Sequence, residues 1–141
     1  MHEDPERKVG KQYASLAAMF LDRVAMTPDG DAFYYPDAQE NWRTMRWAEV
    51  GHRVRRIASG LKSLGLERGD RAAILCTTRV DWILCDLGVL CAAGATTTIY
   101  PSSTAEECAF VLIDSGSVYC LAENQEQVRK LQEVRDRLPE V

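Results

Sequence analysis

The chain changes its hydrophobic period several times. Leu16, Phe20 and Val24 fall four residues apart behind Ser15, whose hydroxyl suits a helix N-cap, so a helix is predicted from 15 to about 26. Thr27-Pro28-Asp29-Gly30-Asp31 is a cluster of turn formers that ends it. Residues 32–35 and 41–46 are short strand-like runs around a Pro36-Asp37 turn, the pattern of an antiparallel hairpin. Trp47, Val50, Val54, Ile57, Ala58, Leu61 and Leu64 then mark one face of a long helix. Gly65 stands where a left-handed C-terminal cap belongs.

From residue 71 the pattern alternates between short apolar runs and helix-length segments. Residues 71–76 read as a buried strand. Residues 79–93 are apolar on most sides, which predicts a buried helix closed by Gly94. Residues 95–100 are β-branched and aromatic, hence a strand, and Pro101 stops it. Thr104 with Glu107 fits a capping box, as does Ser103 with Glu106, and the helix behind it runs to Ser115 and ends at Gly116. Residues 118–122 read as a third buried strand. Asn124 with Gln127 starts a last helix that turns Val128, Leu131, Val134 and Leu138 inward and stops at Pro139. The expected fold is α/β: a parallel sheet with flanking helices and right-handed crossovers, preceded by a short antiparallel hairpin near the N-terminus.

Composition narrows the function classes. With 46% apolar and 27% charged residues the chain reads as an ordinary soluble globular domain. A net charge of −4 argues against a nucleic-acid binder. The charge is uneven, however. Residues 42–72 hold eight Lys/Arg against Glu49, Glu67 and Asp70, a net of +5, which leaves −9 for the rest. That basic stretch from Arg43 to Arg71 is either a solvated face or an attraction to an anionic partner, a cofactor phosphate or a membrane surface. The five cysteines include no C-x-x-C pair and sit in apolar runs, so they are expected as buried, reduced thiols of a cytoplasmic protein. No metal site is expected, since His2 and His52 lie near no cysteine pair. His52, among charged neighbours on its helix, is expected at the surface. Residues 1–12 read as a flexible polar leader without the apolar core of a signal peptide.

In such a sheet, ligands bind beyond the carboxyl ends of the strands. Three loops qualify: Thr77-Thr78-Arg79, Pro101-Ser102-Ser103-Thr104 and Glu123-Asn124. None contains G-x-G-x-x-G, G-x-x-x-x-G-K-[ST] or G-x-S-x-G. A Ser/Thr cluster before a helix either caps the helix or meets an anion, and capping is the commoner role. No catalytic residue can be named.

An ordered set of short motifs carries a family likeness. Arg79, Asp81 and Trp82 are followed by Asp86-Leu87-Gly88, Ala93-Gly94, Ile99-Tyr100-Pro101-Ser102-Ser103, Glu106 and Asp114-Ser115. Upstream stand Thr44-Met45-Arg46-Trp47-Ala48-Glu49-Val50, Leu64-Gly65-Leu66 and Arg68-Gly69-Asp70. Together, over about residues 13–140, they resemble the adenylate-forming enzymes, in particular the long-chain fatty-acyl-CoA synthetases. Thr78 and Thr104 depart from that pattern, where Asn and Ala are usual. The resemblance implies that residues 13–141 are part of such an enzyme's N-terminal domain, its first subdomain. It implies ATP-dependent acyl adenylation and then thioester formation, with ATP, Mg and CoA as cofactors, but only in a longer parent. The motifs that bind ATP and the lysine used in adenylation lie downstream of this region in the family, so the segment alone is expected to bind none of these cofactors and to be inactive. Tyr100, Ser102 and Ser103 are expected to border the substrate cleft of the parent.

The partners so implied are the remainder of the synthetase chain and a fatty acid; a peripheral membrane contact stands beside them as one of the alternatives for the basic stretch. Two other readings stand beside this one. The chain is a non-catalytic, stand-alone α/β module that binds or complements a partner, or a flavodoxin-like or receiver-like module. The hairpin-like start and the lack of acidic clusters at strand ends argue against the last.

Overall fold

The computed structural model describes residues 11–138 and 141. Among them the elements follow the predicted order: α1 (Leu16–Met26), β1 (Asp31–Pro36), β2 (Trp42–Arg46), α2 (Trp47–Ser63), β3 (Arg71–Leu75), α3 (Val80–Cys91), β4 (Ala95–Ile99), α4 (Ala105–Ser115), β5 (Ser117–Ala122) and α5 (Gln125–Glu133). β1 and β2 pair antiparallel. The other three strands form a parallel sheet in the order β4-β3-β5. The expected α/β architecture is therefore present. Of the expected leader, residues 1–10 lie outside the described residues; Lys11 is placed, its ammonium 2.6 Å from Asp22.

β3 takes the centre because it is apolar on both sides: Ala72, Ala73, Ile74 and Leu75 are all buried. Strand side chains alternate between faces. Ala72 meets Leu61, Leu66, Val89 and Ala92 on the side of α2 and α3. Ala73 and Leu75 meet Cys108, Ala109 and Leu112 of α4, with Val134 and Leu138 after α5. A further cluster of Phe20, Val24, Met45, Val50, Val54 and Leu84 fastens α1 and the hairpin onto α2 and α3. Two glycines set helix approach. A Cβ on Gly51 would lie 2.6 Å from Val24 Cγ1, and one on Gly88 would lie 2.4 Å from Ile57 Cγ2.

Several expectations need correction. β5 is an edge strand, and only Ser117 within it is buried, so the third strand is not a buried one. α3 buries Leu84, Gly88 and Val89 and leaves its other face half exposed. β4 stops at Ile99, which puts Tyr100 outside the strand. The last helix ends at Glu133 and gives way to a turn of 3-10 helix, Arg135–Arg137, so it does not run on to Pro139. Only Cys108 of the five free cysteines is buried; the others are half-buried. After α3 the left-handed position falls on Ala93, φ 65°, and not on Gly94. Gly94 is needed for space instead: a Cβ there would come within 3.1 Å of Asp70 O, Leu66 and Val89. His52 is exposed, as expected.

Candidate functional site at the carboxyl rim of the sheet

The rim consists of residues 76–79 after β3, 100–104 after β4 and 123–124 after β5. The Ser/Thr run is held from behind. Lys130, on α5, donates to Pro101 O and to Ser103 O, each at 2.7 Å. Thr104 Oγ1 accepts from Glu107 N–H at 3.3 Å, and the Glu107 carboxylate takes Thr104 N–H at 2.7 Å. This is the capping box at 104 and 107, the alternative with Ser103 and Glu106 being left unused. The bonds from the Thr104 backbone and hydroxyl hold the Glu107 carboxyl below its ordinary value. Thr104 is thus a helix cap.

A second tie joins the loops after β3 and β5. Glu123 Oε2 accepts both Thr77 N–H and the Thr77 hydroxyl at 2.8 Å. These bonds lower the Glu123 carboxyl, first through the backbone and then through the hydroxyl. Burial, then the neighbouring Glu123, pushes the Cys76 thiol up to about 11, so it stays protonated at neutral pH.

Between the β3 and β4 ends lies a cleft of about 430 Å³ lined by Cys76, Thr77, Thr78, Trp82, Thr98, Ile99, Tyr100 and Pro101. Cys76 and Trp82 divide it from a smaller cleft of about 180 Å³ that reaches Glu123. The three residues expected at the site are placed differently. Tyr100 lines the larger cleft and is 81% exposed. Ser102 is exposed beside it, outside the lining, and the Ser103 carbonyl is engaged by Lys130. The sequence reading pointed to the three loops but not to their ties. The Thr77–Glu123 pair spans 46 residues and Lys130 acts across 27 and 29, distances over which local pattern carries no signal.

The rim's chemistry is that of hydroxyls, two aromatic rings and carboxylates. Its cations are Arg79, paired with Asp81, and Lys130, which holds the Pro101 and Ser103 carbonyls. Among the described residues no three His, Cys, Asp or Glu side chains converge as a metal site. A larger groove of about 490 Å³, lined by Leu16, Met19, Phe20, Met26, Trp47 and Leu87 among others, lies by α1, away from the strand ends.

Comparison with known proteins places this scaffold. The sequence profile of the AMP-binding enzyme family matches residues 20–141. The chain belongs to the AMP-binding enzyme family. It is 31% identical over 128 residues to long-chain-fatty-acid–CoA ligase FadD15 of Mycobacterium bovis, covering 91% of this chain and 21% of that protein. The chain thus spans about a fifth of the length of this relative. It is 26% identical over 129 residues to the uncharacterized protein Rv1549 of Mycobacterium tuberculosis, covering 88% of this chain and 72% of that one. Among solved structures, a Mycobacterium tuberculosis fatty acyl CoA synthetase superposes with a TM-score of 0.76 at 24% identity, over 86% of this chain and 23% of the other. That agreement is one of fold: an α/β subdomain of the adenylate-forming N-terminal domain. The expected family and fold are both found.

Proposed function

We propose that this AMP-binding family module is the first subdomain of a long-chain fatty acid–CoA ligase, an enzyme that adenylates a fatty acid with ATP and passes the acyl group to CoA. The observation that carries the reading is the family match over residues 20–141, with ligase relatives sharing 30–31% identity. The rim supports a division of labour. Its aromatic and hydroxyl-lined cleft suits an uncharged part of the substrate, with Tyr100 and Ser102 at its border and Ser103 holding the loop through its carbonyl. ATP, Mg and CoA belong to the remainder of the synthetase, where the family resemblance puts the motifs that bind them. This chain's contribution is to hold Tyr100, Pro101 and Trp82 in place.

Assayed alone, the chain should form no fatty-acid-dependent AMP or pyrophosphate; joined to the remainder of a ligase it should do so. Tyr100→Ala in the joined enzyme should change the KM for fatty acid or the chain-length preference. Unchanged values in a folded protein would remove Tyr100 from the cleft.

One observation favours a second reading, a stand-alone partner-binding module: Rv1549 matches this chain over most of its own length. A stable monomer that binds no apolar dye supports it, because a subdomain cut from a larger body exposes sheet edge and apolar surface. Both readings place the chain in the cytoplasm. No described helix is long and apolar enough to cross a membrane. A peripheral contact with anionic lipid through Arg55, Arg56 and Lys62 of α2 fits their lack of an acidic partner among the described residues. Salt-sensitive sedimentation with anionic vesicles tests it.

A further inference from the structure

The loop between β4 and α4 is held by more than the helix behind it needs. α4 has its cap from within: Thr104 Oγ1 accepts Glu107 N–H, and the Glu107 carboxylate accepts Thr104 N–H. Lys130 takes no part in that exchange. The N-terminus of a helix lacks acceptors for its N–H groups, and a lysine ammonium offers only donors. A cation is also disfavoured beside the positive end of a helix, though Glu106 and Glu107 offset this here. Lys130 is half-buried and pairs with no carboxylate among the described residues. Drawing an ammonium out of water to meet two uncharged carbonyls carries a cost that capping does not require.

What Lys130 does hold is the turn ahead of Thr104. Ser103 N–H donates to Tyr100 O at 3.0 Å and closes a turn over residues 100–103. Lys130 donates to the second and the last carbonyl of that turn, Pro101 O and Ser103 O, each at 2.7 Å. Hydrogen bonds from a charged donor are the stronger kind. α5 gives the clamp a fixed base, since Leu131 and Val134 pack in the α4 cluster. Tyr100 is the first residue of the turn. Its backbone is pinned, while its ring is 81% exposed and lines the cleft. A pinned backbone under a free ring suits a ligand contact, because the fold and not the ligand has done the ordering. Lys130 itself does not line the cleft.

We propose that Lys130 is a positioning residue: through the Pro101 and Ser103 carbonyls it holds the Tyr100 ring at the cleft, and so it helps to determine which fatty acid the enzyme selects. The role in substrate choice rests on the reading under Proposed function; the clamp on the turn rests on the hydrogen bonds alone.

The test joins the whole chain to the part of FadD15 that follows the matched region and measures acyl-adenylate formation. Lys130→Met keeps the stem and removes the donors. It should raise the KM for fatty acid by about two- to tenfold, one aromatic contact's worth, and leave kcat and the KM for ATP unchanged. Lys130→Arg, which has donors for both carbonyls, should restore the parent KM. Tyr100→Ala should raise the KM as much as Lys130→Met does, and the double variant no further, because both act through one ring. Thr104→Ala loosens α4 and leaves the clamp, so it should keep the parent KM. In the unjoined chain, Lys130→Met should speed exchange of the Ser103 amide by about tenfold or more while the Glu107 amide keeps its rate. If Lys130→Met does not fold, Lys130→Gln, too short to reach both carbonyls, takes its place. An unchanged KM for fatty acid, additive effects in the double variant, or an equal rise in Thr104→Ala overturns the proposal. Unaltered Ser103 exchange overturns it whatever the joined enzyme does. Faster Ser103 exchange beside a joined parent that forms no adenylate supports the clamp and counts against the synthetase reading.

Discussion

Gly88 is the most exacting position in the packing of α3 on α2. A Cβ built there falls 2.4 Å from Ile57 Cγ2 and 2.8 Å from Ile57 Cβ, where ordinary contact begins at 3.4 Å. Rotation about χ1 can remove the methyl but not the Cβ, which is fixed to the α2 backbone. Gly88→Ala must therefore move the helices apart by 3.4 minus 2.8, or 0.6 Å, at the least. Overpacking of this kind costs about 1–3 kcal/mol. Alanine returns about 1 kcal/mol of helix propensity. With the obstacle next to backbone the cost belongs at the top of its range, and a net loss of about 2 kcal/mol is expected. Gly60 on α2 is the control, because its added Cβ meets nothing within 4 Å. Gly60→Ala should gain about 0.5–1 kcal/mol. Urea unfolding followed by far-UV circular dichroism reads both. With a slope of about 1–3 kcal/mol/M, Gly88→Ala should lower the midpoint by about 1 M, and Gly60→Ala should raise it by a few tenths. Adding Ile57→Ala to Gly88→Ala should reveal a favourable coupling of about 1 kcal/mol or more. A Gly88→Ala midpoint at or above the parent's would refute the close-approach argument.

Three further outcomes are expected. Thr104→Ala should cost about 1 kcal/mol in the same titration, and Thr104→Ser should recover most of it, through loss and restoration of the α4 cap; equal losses would place the effect elsewhere. Asp22, Asp37, Glu107 and Glu123 are all lowered in the folded chain by hydrogen bonds, from ordinary values of 3.8 for Asp and 4.5 for Glu. The unfolded chain then binds more protons in acid, so their stabilisation is present above those values and is lost as pH falls through the folded ones; a urea midpoint that stays level across that interval would contradict this. Burial raises all five thiols, Cys120 to about 12, so a disulfide reagent at neutral pH should label the native chain slowly and five thiols promptly in denaturant. Fast labelling of any one thiol in the native chain would break the argument.

The element order was legible because local signals agreed with one another. Ser15 does cap α1 through Ala18 N–H, and Asn124 caps α5 through Gln127 N–H. Gly65 and Gly116 take the positive φ angles that their places after helices required. What the sequence did not reveal was set by tertiary partners. Apolar side chains on β5 and α3 read as buried because apolarity marks what ought to be covered; here β5 lies at an edge and α3 is covered on one side. Ala93 takes the positive φ after α3, while Gly94 beside it leaves the room that Asp70, Leu66 and Val89 need. Of the candidate site, the three loops could be located from strand ends alone. The Thr77–Glu123 tie and the Lys130 clamp could not, since each depends on which strands lie side by side.

The Ser/Thr run before α4 stands where a helix N-terminus can meet an anion, and the chain's own carboxylates occupy that place. A helix N-terminus contributes about 0.3–1 kcal/mol toward an anion at an exposed site. α4 already carries Glu106 and Glu107 in its first turn, and Glu107 occupies the N-cap backbone N–H. Both carboxylates complement the positive end of the helix from within the chain. Lys130 donates to the carbonyls of Pro101 and Ser103 and keeps its positive charge beside them. The capping box fixes the end of the loop, and the cleft beside it is lined by Tyr100, Trp82 and the threonines. That is why Tyr100, the exposed aromatic of the cleft, is the residue whose substitution best separates a substrate border from a loop that only closes a helix.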